Sequence, residues 1–364
     1  MARKVRASRE VDPIASPSAA PRTICLLRLS AIGDTCHVVP LIRTLQHAWP
    51  DSRITWIVGR VEAKLVRLLP EVEILTVDKS RYRAEWLRLR RLLATRNFDV
   101  LMHLQVSLRA SLVSTLVRAD VKLGFDRARA REMQWLFTNA RVPARAREHV
   151  QDSFLGFADA LGVRERILEW NLPLPADALD YARSQIPDRQ PTLLINPASS
   201  HPLRNWRPER YAALADHAAR RHGMRVILCG GPAPRERDLG AAIRGAASTT
   251  LIDQIGRDTL PQMLALLARA TVLVAPDTGP VHMATAAGTP VIGLYAATNP
   301  ERSGPYLSRR WCVDRYPEAA RRFRGKSPEE LPWWTKIERP GVMDLIETEA
   351  VTRRLDEFMA QRTR

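Results

Sequence analysis

The sequence predicts an α/β protein with two Rossmann-like, doubly wound domains that face each other across a cleft. Short apolar segments of strand length alternate with helical patterns, which is typical of parallel sheets covered by helices on both faces. This alternation runs over residues 23–104 and again over residues 192–294, on either side of a proline-rich stretch at residues 171–191. A chain of 364 residues also exceeds the length at which one hydrophobic core usually divides into two.

The domain boundaries follow from where these patterns start and stop. Residues 1–22 are predicted to be a disordered basic tail, residues 23–175 the first domain, residues 176–340 the second domain and residues 341–364 a C-terminal helix. In the first domain, a strand at residues 23–29 leads through a glycine-containing loop into a helix at residues 35–48. Open α/β sheets bind ligands at the carboxyl ends of their strands, so the loops that follow strands are the candidate sites.

Composition narrows the class of protein. The net charge of +17 and the pI of about 10.7 predict a polyanionic partner, and leave open nucleic acid, an anionic membrane or a phosphorylated substrate. The four cysteines are spread along the chain without a CxxC pair, and no apolar stretch reaches the length of a membrane helix. We therefore expect a cytoplasmic protein without a disulfide framework, a metal site or a cofactor.

The first candidate loop carries a carboxylate at the end of the first strand. Residues 28–35 read RLSAIGDT, in which Gly33 permits a tight turn and Asp34 stands at the start of the helix. One interpretation is that Asp34 caps this helix. The other is that it faces the cleft as a catalytic base, since the loop lacks the GxGxxG pattern of a dinucleotide site.

Two loops of the second half have the composition of an anion site. Residues 196–206 combine the hydroxyls of Ser199 and Ser200 with the cation of Arg204, ahead of a helix at residues 208–221. Residues 275–284 place Asp277, Thr278 and Gly279 at another helix start, with His282 one turn further on. These groups are predicted to hold a diphosphate, and the alternative for each loop is helix capping or packing.

Two further features suggest contacts with the rest of a substrate. Glu236, in the loop after the strand at residues 225–229, is a candidate for hydrogen bonds from ribose hydroxyls, or a carboxylate that merely favours the helix dipole. Basic residues alternate with aromatic ones over residues 118–147, which suits an acceptor site, a membrane surface or a solvated face. From this region and the first loop, the candidate acceptor-binding residues are Ser30, Arg127, Arg129 and Arg131.

Taken together, these segments resemble glycosyltransferase family 9, whose best-known members are the ADP-heptose heptosyltransferases of the lipopolysaccharide inner core. The resemblance extends over residues 23–306 and depends on three motifs in a fixed order. They are residues 28–34 (RLSAIGD), residues 196–200 with residues 205–211 (NPASS and NWRPERY), and residues 276–284 (PDTGPVHMA).

The resemblance implies the GT-B architecture, with the acceptor in the first domain and the nucleotide-sugar in the second. It implies an inverting transfer of heptose from ADP-heptose to an anionic lipopolysaccharide inner-core acceptor, with Asp34 as the general base. Thr278, Gly279 and His282 match the segment that holds the donor diphosphate. It further implies that the C-terminal helix returns to the first domain, and that the enzyme contacts the anionic inner-membrane surface.

One departure concerns the donor loop, where the family has a lysine and this chain has Arg204. Arginine keeps the charge without the point geometry of an ammonium group, which leaves the identity of the donor open. The alternatives are a transferase of the same fold with another nucleotide-sugar, a nucleotide-sugar epimerase, and a basic nucleic-acid-binding protein. Since the chain has no RNA- or DNA-binding motif, we expect no nucleic-acid partner.

Overall fold

A computed structural model of the protein describes residues 20–362, so most of the predicted basic tail lies outside the described residues. Within this range, no helix combines the length and the apolar character needed to cross a bilayer. The described chain forms two parallel six-stranded sheets, each with helices on both faces.

The first sheet has the strand order β3-β2-β1-β4-β5-β6. Its central strand β1 (TICLL) is almost wholly buried, because helices cover both faces of the sheet. The order reverses between β1 and β4, which opens a crevice at the carboxyl ends of these two strands. The elements of this domain are β1 Thr23–Leu27, α1 Ile32–Ala48, β2 Arg53–Gly59, α2 Ala63–Val66, β3 Val72–Val77, α3 Tyr82–Leu93, β4 Asn97–His103, α4 Leu108–Ser114, β5 Arg118–Gly124, β6 Ala140–Arg141 and α5 Val150–Ala160.

The second sheet repeats this topology in the order β12-β11-β10-β7-β8-β9, so its crevice lies between β7 and β10. Here the predicted elements match the observed ones within a few residues. The elements are α6 Ala176–Gln185, β7 Thr192–Ile195, α7 Pro208–His222, β8 Arg225–Leu228, α8 Pro234–Ala246, β9 Ile252–Asp253, α9 Leu260–Arg269, β10 Val272–Pro276, α10 Gly279–Ala286, β11 Val291–Tyr295, α11 Pro300–Ser303, β12 Val313–Asp314, α12 Tyr316–Arg324 and α13 Thr348–Arg362.

The first domain departs from the predicted elements at several points, since helices α4 and α5 have no predicted counterpart. Helix α1 begins at Ile32 instead of residue 35, because Asp34 lies inside its first turn. The basic region at residues 118–147 is not one surface segment, since β5 and β6 lie within it as strands of the sheet. Arg118, Lys122 and Arg141 on these strands, of which only Arg118 is exposed, hide the short apolar pattern that would have predicted them.

The two domains meet along helices α1 and α10. Cys36 of α1 and Leu65 of α2 share one buried cluster with Val281 and Met283 of α10. The contact is close at Gly33, where a β-carbon would overlap the ring of His282. This packing places the starts of both helices at the same end of the cleft.

The C-terminal helix α13 packs on α7 of the second domain. Its Leu355 and Phe358 are buried in that domain's core, and the Phe358 ring lies 5.3 Å from the ring of Trp311. This packing contrasts with the expected return of the helix to the first domain. The apolar face of α13 is already covered by the second sheet's own helices.

Candidate active site

A cleft of about 990 Å³ lies where the carboxyl ends of the two sheets face each other. It is lined from the first domain by the loop before α1, and from the second domain by the loops after β7, β8, β10 and β11. Every one of these loops follows a strand, as expected for open α/β sheets. The cleft is therefore large enough for a nucleotide with a second substrate beside it.

Asp34 lies at the cleft end of α1 with 31% of its side chain exposed. Its carboxylate accepts a hydrogen bond from the Ala31 N–H at 3.2 Å and forms an ion pair with Arg28. Burial raises the pKa of this carboxyl, but the charge of Arg28 and the Ala31 bond outweigh it and hold the pKa below its ordinary value. Asp34 is thus ionised at neutral pH, and both caps the first turn and faces the cleft.

The start of helix α10 packs against the first turn of α1, which carries Asp34. Thr278 is its N-cap, and the Thr278 side chain makes no capping hydrogen bond. Gly279 begins the helix so close to α1 that a β-carbon there would lie 3.7 Å from Cβ of Ile32. The first turn of a helix presents free N–H groups and the positive end of its dipole, so this end of α10 suits an anion.

Three buried imidazoles lie behind Asp34 at the domain contact. The ring of His37 lies 4.4 Å from that of His282 and 5.5 Å from that of His149. Burial lowers the pKa of His37 and His149 to about 3 and that of His282 to about 4. All three are therefore neutral at pH 7, and His282 offers the cleft a hydrogen-bonding group without a charge.

Arg204, the predicted phosphate ligand, lines the cleft and is already paired. Its Nε and Nη2 donate to Oε1 of Glu338 at 2.8 and 2.6 Å, and its Nη1 lies 3.8 Å from Oδ2 of Asp277. Only 10% of the side chain is exposed. Burial raises the pKa of Asp277, and Arg204 opposes this rise. Arg204 thus links the loop after β7 to the loop after β10.

The loop after β7 is shaped by Ser199. Its hydroxyl donates to the carbonyl of His201 at 2.8 Å, and its N–H donates to Oδ1 of Asn205 at 2.8 Å. The neighbouring Ser200 is exposed and lines the cleft. Of the two predicted hydroxyls, Ser199 holds the loop in place and Ser200 is open to a ligand.

Glu236 and Asn196 face the same part of the cleft, at the ends of β8 and β7. Glu236 accepts a hydrogen bond from the Gly231 N–H at 2.6 Å. Asn196, which the sequence interpretation did not select, donates to the carbonyl of Cys229 at 3.0 Å, while its buried Oδ1 has no partner among the described residues. A buried polar atom without a partner beside a cleft is available to a ligand.

The predicted acceptor residues are not all brought together. Arg131 and Arg129 line the cleft, but Arg129 is held by Asp126 and Glu148. Arg127 is outside the cleft lining and stacks on Trp135 at 4.3 Å. Ser30 lines an adjoining pocket of about 350 Å³, where Gln105 donates to its hydroxyl at 3.5 Å. Of these four predicted residues, only Arg131 lines the cleft without an ion pair to a carboxylate of the described chain.

Several residues that line the cleft were missed by the sequence interpretation. Arg302 follows β11, and Trp333, Trp334 and Lys336 lie in a stretch at residues 315–340 that carries no motif. The only sequence feature that could have indicated this part of the site is the pair of adjacent tryptophans in a polar segment. Tryptophans alone are more typical of core packing than of a binding site. Their convergence on the cleft depends on how the second domain folds.

The described residues contain one group of three potential metal ligands, formed by His217, His222 and Asp356. Both imidazole Nε2 atoms lie within hydrogen-bonding distance of Oδ1 of Asp356, at 2.7 and 2.6 Å. The group joins α7 to α13 and is separate from the cleft lining. All four cysteines are buried and free.

Comparisons with known proteins agree with this geometry. The family model "Glycosyltransferase family 9 (heptosyltransferase)" matches residues 86–331. The lipopolysaccharide core heptosyltransferase OpsX of Haemophilus influenzae is 38% identical over 332 residues, which cover 91% of this chain and 95% of that protein. Lipopolysaccharide heptosyltransferase 1 of Pseudomonas aeruginosa is 26% identical and covers 78% of this chain and 81% of its own length.

Solved structures share the two-domain fold. A family 9 glycosyl transferase from Veillonella parvula aligns with a TM-score of 0.76 at 20% identity, over 93% of this chain and 97% of that one. Escherichia coli heptosyltransferase WaaC with ADP aligns with a TM-score of 0.71 at 21% identity, over 92% of this chain and 99% of that one. The predicted pair of Rossmann-like domains in a GT-B arrangement is confirmed.

Proposed function

Because this chain belongs to glycosyltransferase family 9, as its motifs predict, we propose that it transfers heptose from ADP-heptose to a lipopolysaccharide inner-core acceptor. The observation that carries this proposal is that an ionised Asp34 and the start of α10 lie together at one end of the cleft. The cleft thus offers a base beside an anion site. The similar proteins include lipopolysaccharide heptosyltransferases and a heptosyltransferase structure with ADP, which supports the choice of substrates.

In the proposed reaction, an acceptor hydroxyl attacks the anomeric carbon of the heptose in one inverting displacement. The new bond joins the acceptor oxygen to that carbon, the bond from the carbon to the diphosphate breaks, and ADP leaves with the electron pair. Asp34 takes the proton of the hydroxyl. The N–H of Gly279 at the start of α10 and the hydroxyl of Thr278 stabilise the departing charge.

The donor is best tested by thermal unfolding with a panel of nucleotides and nucleotide-sugars. A ligand that binds only the folded protein at a hundred times its Kd stabilises it by about 2.7 kcal/mol. We expect ADP and ADP-heptose to raise Tm and the UDP and GDP sugars to leave it unchanged.

Three other outcomes would change the proposal. A preference for a UDP or GDP sugar would indicate a transferase with another donor, and turnover of ADP-heptose without an acceptor would indicate an epimerase. Tight, salt-sensitive nucleic-acid binding with no nucleotide-sugar response would contradict the whole proposal.

We also propose that the enzyme works at the cytoplasmic face of the inner membrane through helices α3 and α4. Leu89 and Leu93 of α3 pack in the same cluster as Val113 of α4, so both helices cover one face of the first sheet. Their outer surfaces expose Leu87, Leu92, Leu108 and Leu112 beside Arg83, Arg90, Arg91 and Arg109. Exposed leucines among arginines suit the interface of an anionic bilayer.

The membrane contact is testable by sedimentation with vesicles. We expect binding to phosphatidylglycerol vesicles, weaker binding to phosphatidylcholine vesicles, and a several-fold loss with Leu87→Gln plus Leu112→Gln, since two apolar contacts are removed. Leu307→Gln is a matched control, because this leucine is 57% exposed on the second domain. Equal losses in the control and the double variant would argue against a specific face.

A further inference from the structure

Residues 331–337, which we call the tryptophan strap, are fixed to the second domain at both ends. Leu331 and Ile337 are buried in that domain's core. The N–H of Ile337 donates to the carbonyl of Ala297, just after β11, at 2.8 Å, and Tyr316 donates its hydroxyl to the carbonyl of Thr335 at 3.0 Å. The strap therefore has a defined position at the edge of the cleft.

Between its ends, the strap reaches the first domain. Trp333 donates its Nε1–H to the carbonyl of Glu148 at 2.8 Å, and the guanidinium of Arg147 lies 5.5 Å from its ring. Trp334 is next to it, with the guanidinium of Arg131 at 5.4 Å from its ring. Trp333 thus ties the domains together, whereas Trp334 is 41% exposed and lines the cleft.

Three cations surround this part of the cleft. Arg131 comes from the first domain, and Arg302 and Lys336 come from the second. None of them forms an ion pair with a carboxylate of the described chain, in contrast to Arg28, Arg129 and Arg204. At longer range, the charges of Asp34 and Asp277 act on Arg302, and those of Asp277 and Glu338 act on Lys336. Cations without a direct carboxylate partner in a partly buried cleft favour an anionic ligand.

The topology separates the strap from the nucleotide side of the cleft. The strap is attached beyond β11, whereas Glu236, the candidate ribose ligand, follows β8. In the order β11-β10-β7-β8 these strands are three positions apart, which is about 14 Å at the spacing of neighbouring strands. A ribose held by Glu236 is therefore far from the strap along the sheet edge, and the strap is left to the sugar end of the donor and to the acceptor.

We propose that the tryptophan strap is an acceptor-binding site for an acidic carbohydrate. Trp334 packs its exposed ring against the apolar face of a sugar ring, as aromatic side chains do with flat amphipathic partners. Arg131, Arg302 and Lys336 bind the carboxylate or phosphate groups of the same acceptor. Since the strap belongs to the second domain and contacts the first, it completes the acceptor site only when the two domains are together.

This inference rests on the proposed function, and the test separates the two. The initial rate is measured with saturating ADP-heptose while heptose-free lipopolysaccharide is varied, and the Kd of ADP is measured separately. For Trp334→Ala we expect the KM for the lipopolysaccharide to rise at least tenfold, with the Kd of ADP within twofold of wild type. Trp334→Phe keeps an aromatic ring and should recover most of the loss.

A matched control distinguishes acceptor binding from loss of an exposed arginine–tryptophan contact. Arg131→Ala should also raise the KM, whereas Arg310→Ala should not, because Arg310 stacks on Trp311 at 4.9 Å outside the cleft lining. An unchanged KM in Trp334→Ala with normal wild-type turnover overturns the strap proposal alone. A raised Kd of ADP assigns Trp334 to the nucleotide instead. If wild type neither binds ADP nor transfers heptose, the proposed function fails and the strap proposal with it.

Discussion

Replacing Asp34 by asparagine is expected to reduce kcat by about 10² to 10⁴-fold while the Kd of ADP-heptose stays within twofold of wild type. General-base assistance typically contributes a rate factor of this size. The amide oxygen of asparagine can still accept the hydrogen bond from the Ala31 N–H, so the first turn of α1 keeps its cap. The measurement is steady-state kinetics with heptose-free lipopolysaccharide, together with donor titration.

Asp34→Ala is the matched variant that removes the cap as well as the base. It should lose the same activity and, in addition, about 1 kcal/mol of folding stability, because the Ala31 N–H loses its partner. Equal falls in kcat and donor affinity for Asp34→Asn would contradict the base assignment. They would leave Asp34 as a residue that merely holds the loop.

The same assignment predicts a shift in the pH profile when the partner of Asp34 is changed. In wild type, Arg28 holds the pKa of Asp34 below its ordinary value, so the base stays ionised and kcat/KM falls only at very acidic pH. In Arg28→Gln, burial remains without the compensating charge, and the pKa of Asp34 rises. We therefore expect the acidic decline of kcat/KM to move to higher pH. A decline at the same pH in both proteins would show that another group titrates.

Replacing Arg204 by alanine is expected to weaken donor binding by about 10- to 100-fold and to destabilise the second domain. A hydrogen bond to a charged group contributes about 1.5 to 3 kcal/mol, and tenfold in Kd corresponds to 1.4 kcal/mol. Removal of the Arg204 side chain also leaves Asp277 and Glu338 without their shared cation beside the anion site. Breaking such a partly buried pair costs about 3 kcal/mol of stability.

A second substitution separates these two effects. Glu338→Gln in the Arg204→Ala background removes one of the two stranded carboxylates, so Tm should recover in part. The Kd of ADP should stay high, because the guanidinium is still missing. Thermal unfolding and nucleotide titration of the wild type and the two variants provide the check. An unchanged Kd in both variants would restrict Arg204 to joining the loops after β7 and β10.

The sequence predicted the strands of the second domain better than those of the first. Strands such as β7 and β10 are buried on both faces and read as continuous apolar runs, so their pattern is visible along the chain. Strand β5 (RADVKLG) is only partly buried and mixes charges with apolar residues. Its charges break the apolar run, so the pattern along the chain indicates a basic region and not a strand paired with β4.

The loops that follow strands were predicted as candidate sites for a general reason. In parallel sheets all strands end at the same edge, so Asp34, Ser200, Glu236 and Thr278 were expected at one cleft, and all four line it. Their partners were not predictable in the same way. The sequence does not reveal that Glu338 and Asp277 neutralise Arg204, since the pair with Glu338 joins residues 134 positions apart.

By itself, the sequence determined the α/β class, the two repeated halves and the three motifs of the family. These features depend on residues that are neighbours in the chain: the spacing of apolar residues and the loops that follow strands. The tertiary structure decided how the charges in the cleft are compensated and which side chains reach it. It paired Arg204 and Arg129 with carboxylates, left Arg131 and Arg302 without a direct carboxylate partner in the described chain, and brought Trp334 to the cleft. The physical reason is that charge compensation and exposure depend on neighbours from distant segments, which only the folded chain brings into contact.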